Sequence, residues 1–132
     1  MGDLKYLLDT HTFLWVINED KKLSYTAREI INDVNSILFL SAASAYEIMN
    51  KNRIGRLNGY ENITKNYFSL IKTASITELA INTHHAHYAG EFEWEHRDPF
   101  DRLLAAQSYI DNLILITDDK CFKTLPWVKT LW

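Results

Sequence analysis

A few acidic residues stand where an alternating strand and helix chain would bring side chains together. Asp9 closes the short apolar run Leu4 to Leu8, and Asp118 and Asp119 follow the run Leu113 to Ile116 after Thr117. Glu47 falls within about two turns of the start of a helix that follows the run Ile37 to Leu40. Asp101 lies in the first turn of a helix opened by Asp98-Pro99. In open parallel sheets, ligands bind beyond the carboxyl ends of the strands. If those ends converge, Asp9, Glu47, Asp101 and Asp119 share one cleft. Like charges that close repel and raise one another's pKa unless a cation neutralises them. A hard divalent ion with oxygen ligands, Mg²⁺ or Mn²⁺, suits such a cleft. An ion held that way is a common apparatus for phosphodiester hydrolysis, because it activates water and offsets charge on the phosphate.

Each acid also has a structural reading. Asp9 can cap a helix beginning at Thr10, and Asp98 before Pro99 is a strong helix-entry signal. Asp101, three residues after that cap, can satisfy free N–H groups. Glu47 reads equally as a solvated helix acid and Asp118-Asp119 as turn residues. Lys51, Arg53 and Arg56 are either a solvated basic helix end or a clamp for phosphate. His84, His85 and His87 lack the cysteine pair or HExxH spacing of a zinc site and read as a partly exposed helix face. Ser41 and Ser44 lack a nucleophile elbow. Cys121 reads as a packing residue, and the four Trp and seven Tyr as mostly core.

The elements that must position these residues follow from the apolar pattern. The runs at 4–8, 37–40 and 113–116 are continuously apolar and short, as in strands covered on both faces. Residues 76–80 give a weaker strand and 128–131 a last edge strand. Helices are expected after the cap Ser24, through Ile48 and Met49 to a stop near Gly55, along the stripe Ile63, Tyr67, Leu70 and Ile71, from the cap Asn82 to Phe92, and from Pro99 through Ile110. Alternation of this kind predicts a three-layer α/β fold with a mostly parallel central sheet of four or five strands.

Length and composition bound the rest. At 132 residues, 47% hydrophobic and 23% charged, residues 1–132 read as one domain with one sizeable core. No apolar run reaches the roughly 20 residues of a membrane span. The opening Met-Gly-Asp-Leu-Lys lacks a signal-peptide pattern and the chain has one cysteine, so a cytoplasmic protein is expected. A net charge of −3 lacks the basic excess of proteins that grip long nucleic acids, so any such contact is local.

In this order the blocks YLLDTHTFLW at 6–15, LSAASAYEIMNKNRIGRL at 40–57, HRDPFDRLLAAQ at 96–107 and LILITDDKCF at 113–122 resemble the PIN-domain family, in particular the VapC-type ribonuclease toxins. The resemblance spans nearly the whole chain. It implies a metal-dependent endoribonuclease with an acidic quartet: Asp9, Glu47, Asp101, and Asp119 in a T-x-D position. Asp9 and Asp101 would be the most direct metal ligands, with Glu47 and Asp119 completing the cage. Thr10 corresponds to a small hydroxyl residue after the first acid, and Asp98 to a helix cap. It further implies an RNA substrate, a small antitoxin partner and a homodimer. Two other functions remain open at this level: a non-catalytic binding module on the same fold, and a haloacid-dehalogenase-type phosphatase. The latter needs a second Asp where this chain has His11.

Overall fold

The computed structural model of the chain describes residues 4–132. Met1 to Asp3, part of the segment read for a signal peptide, lie outside the described residues. The elements run β1 (Lys5–Leu8), α1 (Thr10–Asn18), α2 (Tyr25–Asn32), β2 (Ile37–Ser41), α3 (Ala42–Arg53), α4 (Glu61–Lys65), α5 (Tyr67–Thr73), β3 (Ile76–Leu79), α6 (Thr83–Glu91), α7 (Pro99–Ile110), β4 (Ile114–Ile116) and β5 (Thr130–Leu131). Short 3₁₀ turns occupy Asp20–Lys22 and Lys120–Thr124. All five strands pair in parallel in the order β3-β2-β1-β4-β5. No helix among the described residues is long and apolar enough to cross a membrane.

Alternate residues of each central strand point to opposite faces, and the two faces carry separate apolar cores. Tyr6, Leu8, Leu38, Leu40 and Ile116 pack beneath Phe13 of α1, Ala27 of α2, Ile48 of α3, Ile63 of α4 and Ile71 of α5. Leu7 and Leu115 face the other way, against Leu104 and Ala105 of α7 and Phe122. Helices on both faces explain why the strands read as unbroken apolar runs. The fully buried Ala105 and Ala106 let α7 lie close to the sheet. Buried Gln107 then ties it to Ser41 at the end of β2 and to the carbonyl of Ala80 beyond β3.

The expected caps are present: Ser24 accepts from the Ala27 N–H, Asn82 from His85, and Asp98 from Phe100 and Asp101. Gly55 follows the end of α3 at φ +76°, a left-handed geometry suited to glycine. Two expectations need correction. The stripe from Ile63 to Ile71 is two helices, α4 and α5, broken at Asn66, whose φ of −126° and ψ of 30° leave the helical region. Its apolar residues still share one core face, so the spacing survives the break. His85 is buried, 1% exposed, instead of lying on an exposed helix face. Its Nδ1 accepts from the Asn82 N–H and its Nε2 faces Asp111 at 3.0 Å, so the ring links the start of α6 to the end of α7. The aromatic reading holds in part: Tyr6 and Tyr67 are buried and the four tryptophans and Tyr60 are partly buried against the two cores, while Tyr25, Tyr46 and Tyr109 are exposed.

Candidate active site at the sheet switch point

Chain order reverses between β1 and β4: the sheet grows outward through β2 and β3 on one side and through β5 on the other. A doubly wound sheet opens a crevice at that point, at the carboxyl ends of the two strands. Leu8 of β1 lies in register with Ile116 of β4, so the next residues, Asp9 and Thr117, meet at the rim. The Asp9 N–H donates to the Ile116 carbonyl at 3.2 Å, and the Thr12 hydroxyl donates to the same carbonyl at 3.0 Å.

Asp9 is 7% exposed and does two things. Its Oδ1 accepts from the Thr12 N–H at 2.7 Å and caps α1, while its Oδ2 accepts the Thr117 hydroxyl in a short hydrogen bond. Burial pushes its carboxyl pKa up, and the hydrogen bonds from Thr117 and Thr12 and the nearby His11 only partly oppose that. The Thr117 oxygen in turn accepts from the Asp119 N–H at 3.0 Å. Asp119 caps the 3₁₀ turn, accepting from the Cys121 N–H at 3.0 Å. Asp118 is exposed.

Asp101 comes from a third element, the first turn of α7. Asp98 takes over the capping of α7, which leaves the Asp101 carboxylate free to project. Its Oδ2 lies 2.6 Å from His96 Nε2. Burial pushes its pKa up to about 6; the His96 hydrogen bond opposes the rise, while Asp98 and Asp119 add to it. Asp9, Asp101 and Asp119 all also press on Cys121, whose thiol is pushed up to about 12, chiefly by burial. Asp119 thus acts on Asp101 directly, and all three acids, from three separate elements, act on Cys121. Among the described residues, none of them is paired with a lysine or arginine.

Glu47 stands apart from that group. It is 8% exposed, accepts the Thr10 hydroxyl at 2.7 Å through Oε1, and pairs with Lys51 Nζ at 2.6 Å through Oε2. Thr10 Oγ1 also meets Ser44 Oγ at 2.9 Å. Glu47 is joined to Asp9 through Thr10, the neighbouring residue, and carries its own counter-ion. Lys51 is thus engaged in an ion pair, Arg53 at the end of α3 donates to Asn50, and both Arg53 and Arg56, the latter beyond α3, are exposed.

The donor set fits a hard divalent cation. Asp9, Asp101 and Asp119 present carboxylate oxygens, two of them with pKa values raised by burial, and a cation between them relieves both penalties. The four acids do not form one tight shell on their own. Among the described residues, the group of three or more His, Cys, Asp or Glu ligand atoms lying within 4.8 Å of one another is His96, Asp101 and Cys121.

Sequence reasoning missed His96 and the part played by Thr117. His96 opens the block that holds Asp101, but its contact depends on the path of the loop before α7. Thr117, directly after a strand and two residues before an acid, carries a turn signal that a closer reading of the T-D-D sequence could have used.

A doubly wound parallel sheet with acids gathered at its switch point places the chain in a narrow structural class. The model of the PIN domain matches residues 6–128, and the chain belongs to the PIN domain family. Solved structures with the same fold include VapBC2 from Rickettsia felis bound to a DNA fragment from its promoter. That structure shows 14% identity and a TM-score of 0.69, with 97% of this chain and 98% of that chain covered. DNA-bound VapBC from Salmonella typhimurium gives 20% identity and a TM-score of 0.72, with 97% of each chain covered. VapBC-1 from nontypeable Haemophilus influenzae gives 20% identity and a TM-score of 0.67 at the same coverage. No curated protein matches the chain.

Proposed function

We propose that the protein is a Mg²⁺-dependent endoribonuclease acting as the toxin of a toxin–antitoxin pair, with Asp9, Glu47, Asp101 and Asp119 as its acidic site. The observation that carries this reading is that Thr117 links Asp9 to Asp119 at the switch point and Asp119 acts on Asp101, while among the described residues no lysine or arginine pairs with any of the three. Membership of the PIN family, whose members are generally metal-dependent nucleases, supports the reaction class. Likeness to VapBC assemblies supports a small antitoxin as partner.

Asp9 and Asp101 are the direct ligands, with Glu47 and Asp119 completing the cage; Mn²⁺ could replace Mg²⁺. When bound, the ion supplies an activated water and charge to offset that building on the phosphate. Thr117 and Thr12 hold the Asp9 carboxylate in one orientation, so little reorganisation is needed when the charge distribution changes. Thr10 fixes Glu47 at the rim. Arg53 and Arg56, exposed beside that wall, contact the RNA backbone locally, in keeping with the net charge of −3. Lys51, bound to Glu47, contributes to RNA placement only if that pair opens. A homodimer and a cytoplasmic location complete the proposal.

The test uses purified protein freed of partner, mixed RNAs and Mg²⁺, with and without chelator, beside Asp9→Asn and Asp101→Asn. Fragments that need the metal and vanish in both variants support the proposal. Equal cutting by the variants points to a contaminating nuclease and removes it. An aryl phosphate serves as control, since a phosphatase hydrolyses it and this nuclease does not.

A further inference from the structure

We propose that His96, Asp101 and Cys121 form a site for Zn²⁺, placed against the acidic cleft and sharing Asp101 with it. An imidazole nitrogen, a carboxylate oxygen and the sulfur, one from each residue, lie within 4.8 Å of one another. Zinc binds nitrogen at about 2.0–2.1 Å, oxygen at about 2.0–2.2 Å and sulfur at about 2.3 Å. Tetrahedral ligands at those lengths stand roughly 3.3–3.8 Å apart. His96 Nε2 and Asp101 Oδ2 are 2.6 Å apart, held by a hydrogen bond. A cation replacing the shared proton needs that pair to open by about 1 Å, and side-chain rotation brings the sulfur, already within 4.8 Å, to ligand distance.

The three ligands are held from outside the site. Asp98 caps the turn that carries Asp101, the Asp119 carboxylate accepts from the Cys121 N–H, and the Trp94 ring lies against His96 with centroids 4.7 Å apart. All three are half-buried, so their ligand atoms are supported and still reachable. A cavity of about 530 Å³, lined by Trp94, Glu95, His96, Cys121 and Thr124, opens on the imidazole and the thiol and gives an ion its entry path. The donor types decide the ion. Mg²⁺ takes oxygen ligands in octahedral geometry, whereas a nitrogen, oxygen and sulfur set matches zinc. On ligation the thiol proton leaves to solvent, and water fills the fourth position.

One consequence rests on the nuclease reading. Zinc bound here draws on the Asp101 carboxylate that this reading gives to Mg²⁺ and places a second cation beside it, so it weakens Mg²⁺ binding and inhibits RNA cleavage.

Tag-free, partner-free, metal-free protein is titrated with Co²⁺ as a coloured stand-in for zinc. One equivalent gives a thiolate-to-cobalt charge-transfer band with tetrahedral d–d absorption. Cys121→Ser removes that band, and His96→Gln weakens Co²⁺ binding by at least about tenfold. In the wild type, one equivalent of Zn²⁺ also displaces Co²⁺ and bleaches that band, a readout that needs no variant to fold. A Co²⁺ spectrum without the thiolate band, or a band that survives excess Zn²⁺, overturns the site. In the cleavage assay, Cys121→Ser keeps Mg²⁺-dependent cutting and loses at least about tenfold in zinc sensitivity. Unchanged zinc sensitivity in that variant removes the inhibitory link. If the charge-transfer band forms but no preparation cuts RNA in Mg²⁺, the site stands and the nuclease reading falls.

Discussion

The two walls of the cleft handle negative charge in opposite ways. On the α3 wall, Glu47 is balanced internally by Lys51 one helical turn away and by the Thr10 hydroxyl. On the other side, Asp9, Asp101 and Asp119 come from three elements and meet only hydroxyls, backbone N–H groups and His96. Burying a carboxylate without a counter-charge costs stability, so the unbalanced wall marks where a cation from outside is expected. The largest test of that contrast is Asp9→Asn. Asparagine keeps an oxygen for the Thr12 N–H and removes the charge. Metal-dependent RNA cleavage should fall by about 10³-fold, the scale of losing several kcal/mol of charge stabilisation. Because burial penalises the Asp9 carboxylate, the metal-free variant should melt about 2–5 °C higher than the wild type. Lower activity with a lower melting temperature would mean that Asp9 is mainly a helix cap.

The unbalanced wall also needs support from outside, because His96, the partner of Asp101, sits on the loop before α7. Arg102 supplies much of it. Its guanidinium donates to the carbonyls of Ala89, Phe92, Trp94 and His96 and lies over the Phe92 ring at 4.3 Å. That fan of donors fastens residues 89–96 to α7 and fixes where His96 meets Asp101. Arg102→Ala should cost about 2–4 kcal/mol in chemical unfolding, since several carbonyls lose their partner. Lysine has no planar fork, so Arg102→Lys should recover less than half of the loss. A cost below about 0.5 kcal/mol would show that the loop holds its own shape.

The same wall sets a pH dependence. The Asp101 carboxyl is raised above its ordinary value to about 6 in the folded chain. Between the unfolded and folded values the folded state binds more protons, so this group's contribution favours folding at low pH and is lost as pH rises through about 6. Metal ligation needs the ionised form. The rise in melting temperature caused by Mg²⁺ should therefore be small at pH 5 and grow severalfold by pH 7. Differential scanning fluorimetry at three pH values checks it; a Mg²⁺ shift independent of pH removes Asp101 from the ligand set.

Much of this contrast is legible in the residue order, and the illegible part has identifiable causes. Strands, caps and the position of each acid follow from local signals: continuous apolar runs, Asp98-Pro99, Ser24 and Asn82. Asp9 shows that a cap and a cleft acid need not be rival readings, because a carboxylate has two oxygens. What local signals cannot carry is pairing across the chain. The His96 contact depends on a loop clamped by Arg102, and burial of His85 depends on Asp111 at the far end of α7. The break at Asn66 was hidden because both short helices keep their apolar residues on one face. The spacing of Lys51 four residues after Glu47 was visible, yet spacing alone does not say whether a helix pair is formed or is held open for a phosphate.

That last ambiguity gives the finest test of the two walls. In the structure Lys51 is spent on Glu47, and its positive charge lies beside a cleft that is to hold a cation. Lys51→Met keeps the aliphatic stem and removes the charge, leaving Glu47 with Thr10 as its remaining hydrogen-bond donor. If Lys51 is a counter-ion, the cleft becomes more negative, and the Mg²⁺ concentration for half-maximal cleavage should fall about threefold, a change of roughly 0.6 kcal/mol that matches a partly exposed ion pair. If Lys51 is instead a phosphate clamp, the Mg²⁺ requirement stays put and the KM for RNA rises. The small size of the expected effect is informative, since an ion pair open to water is worth far less than the uncompensated, buried carboxylate of Asp9 across the cleft.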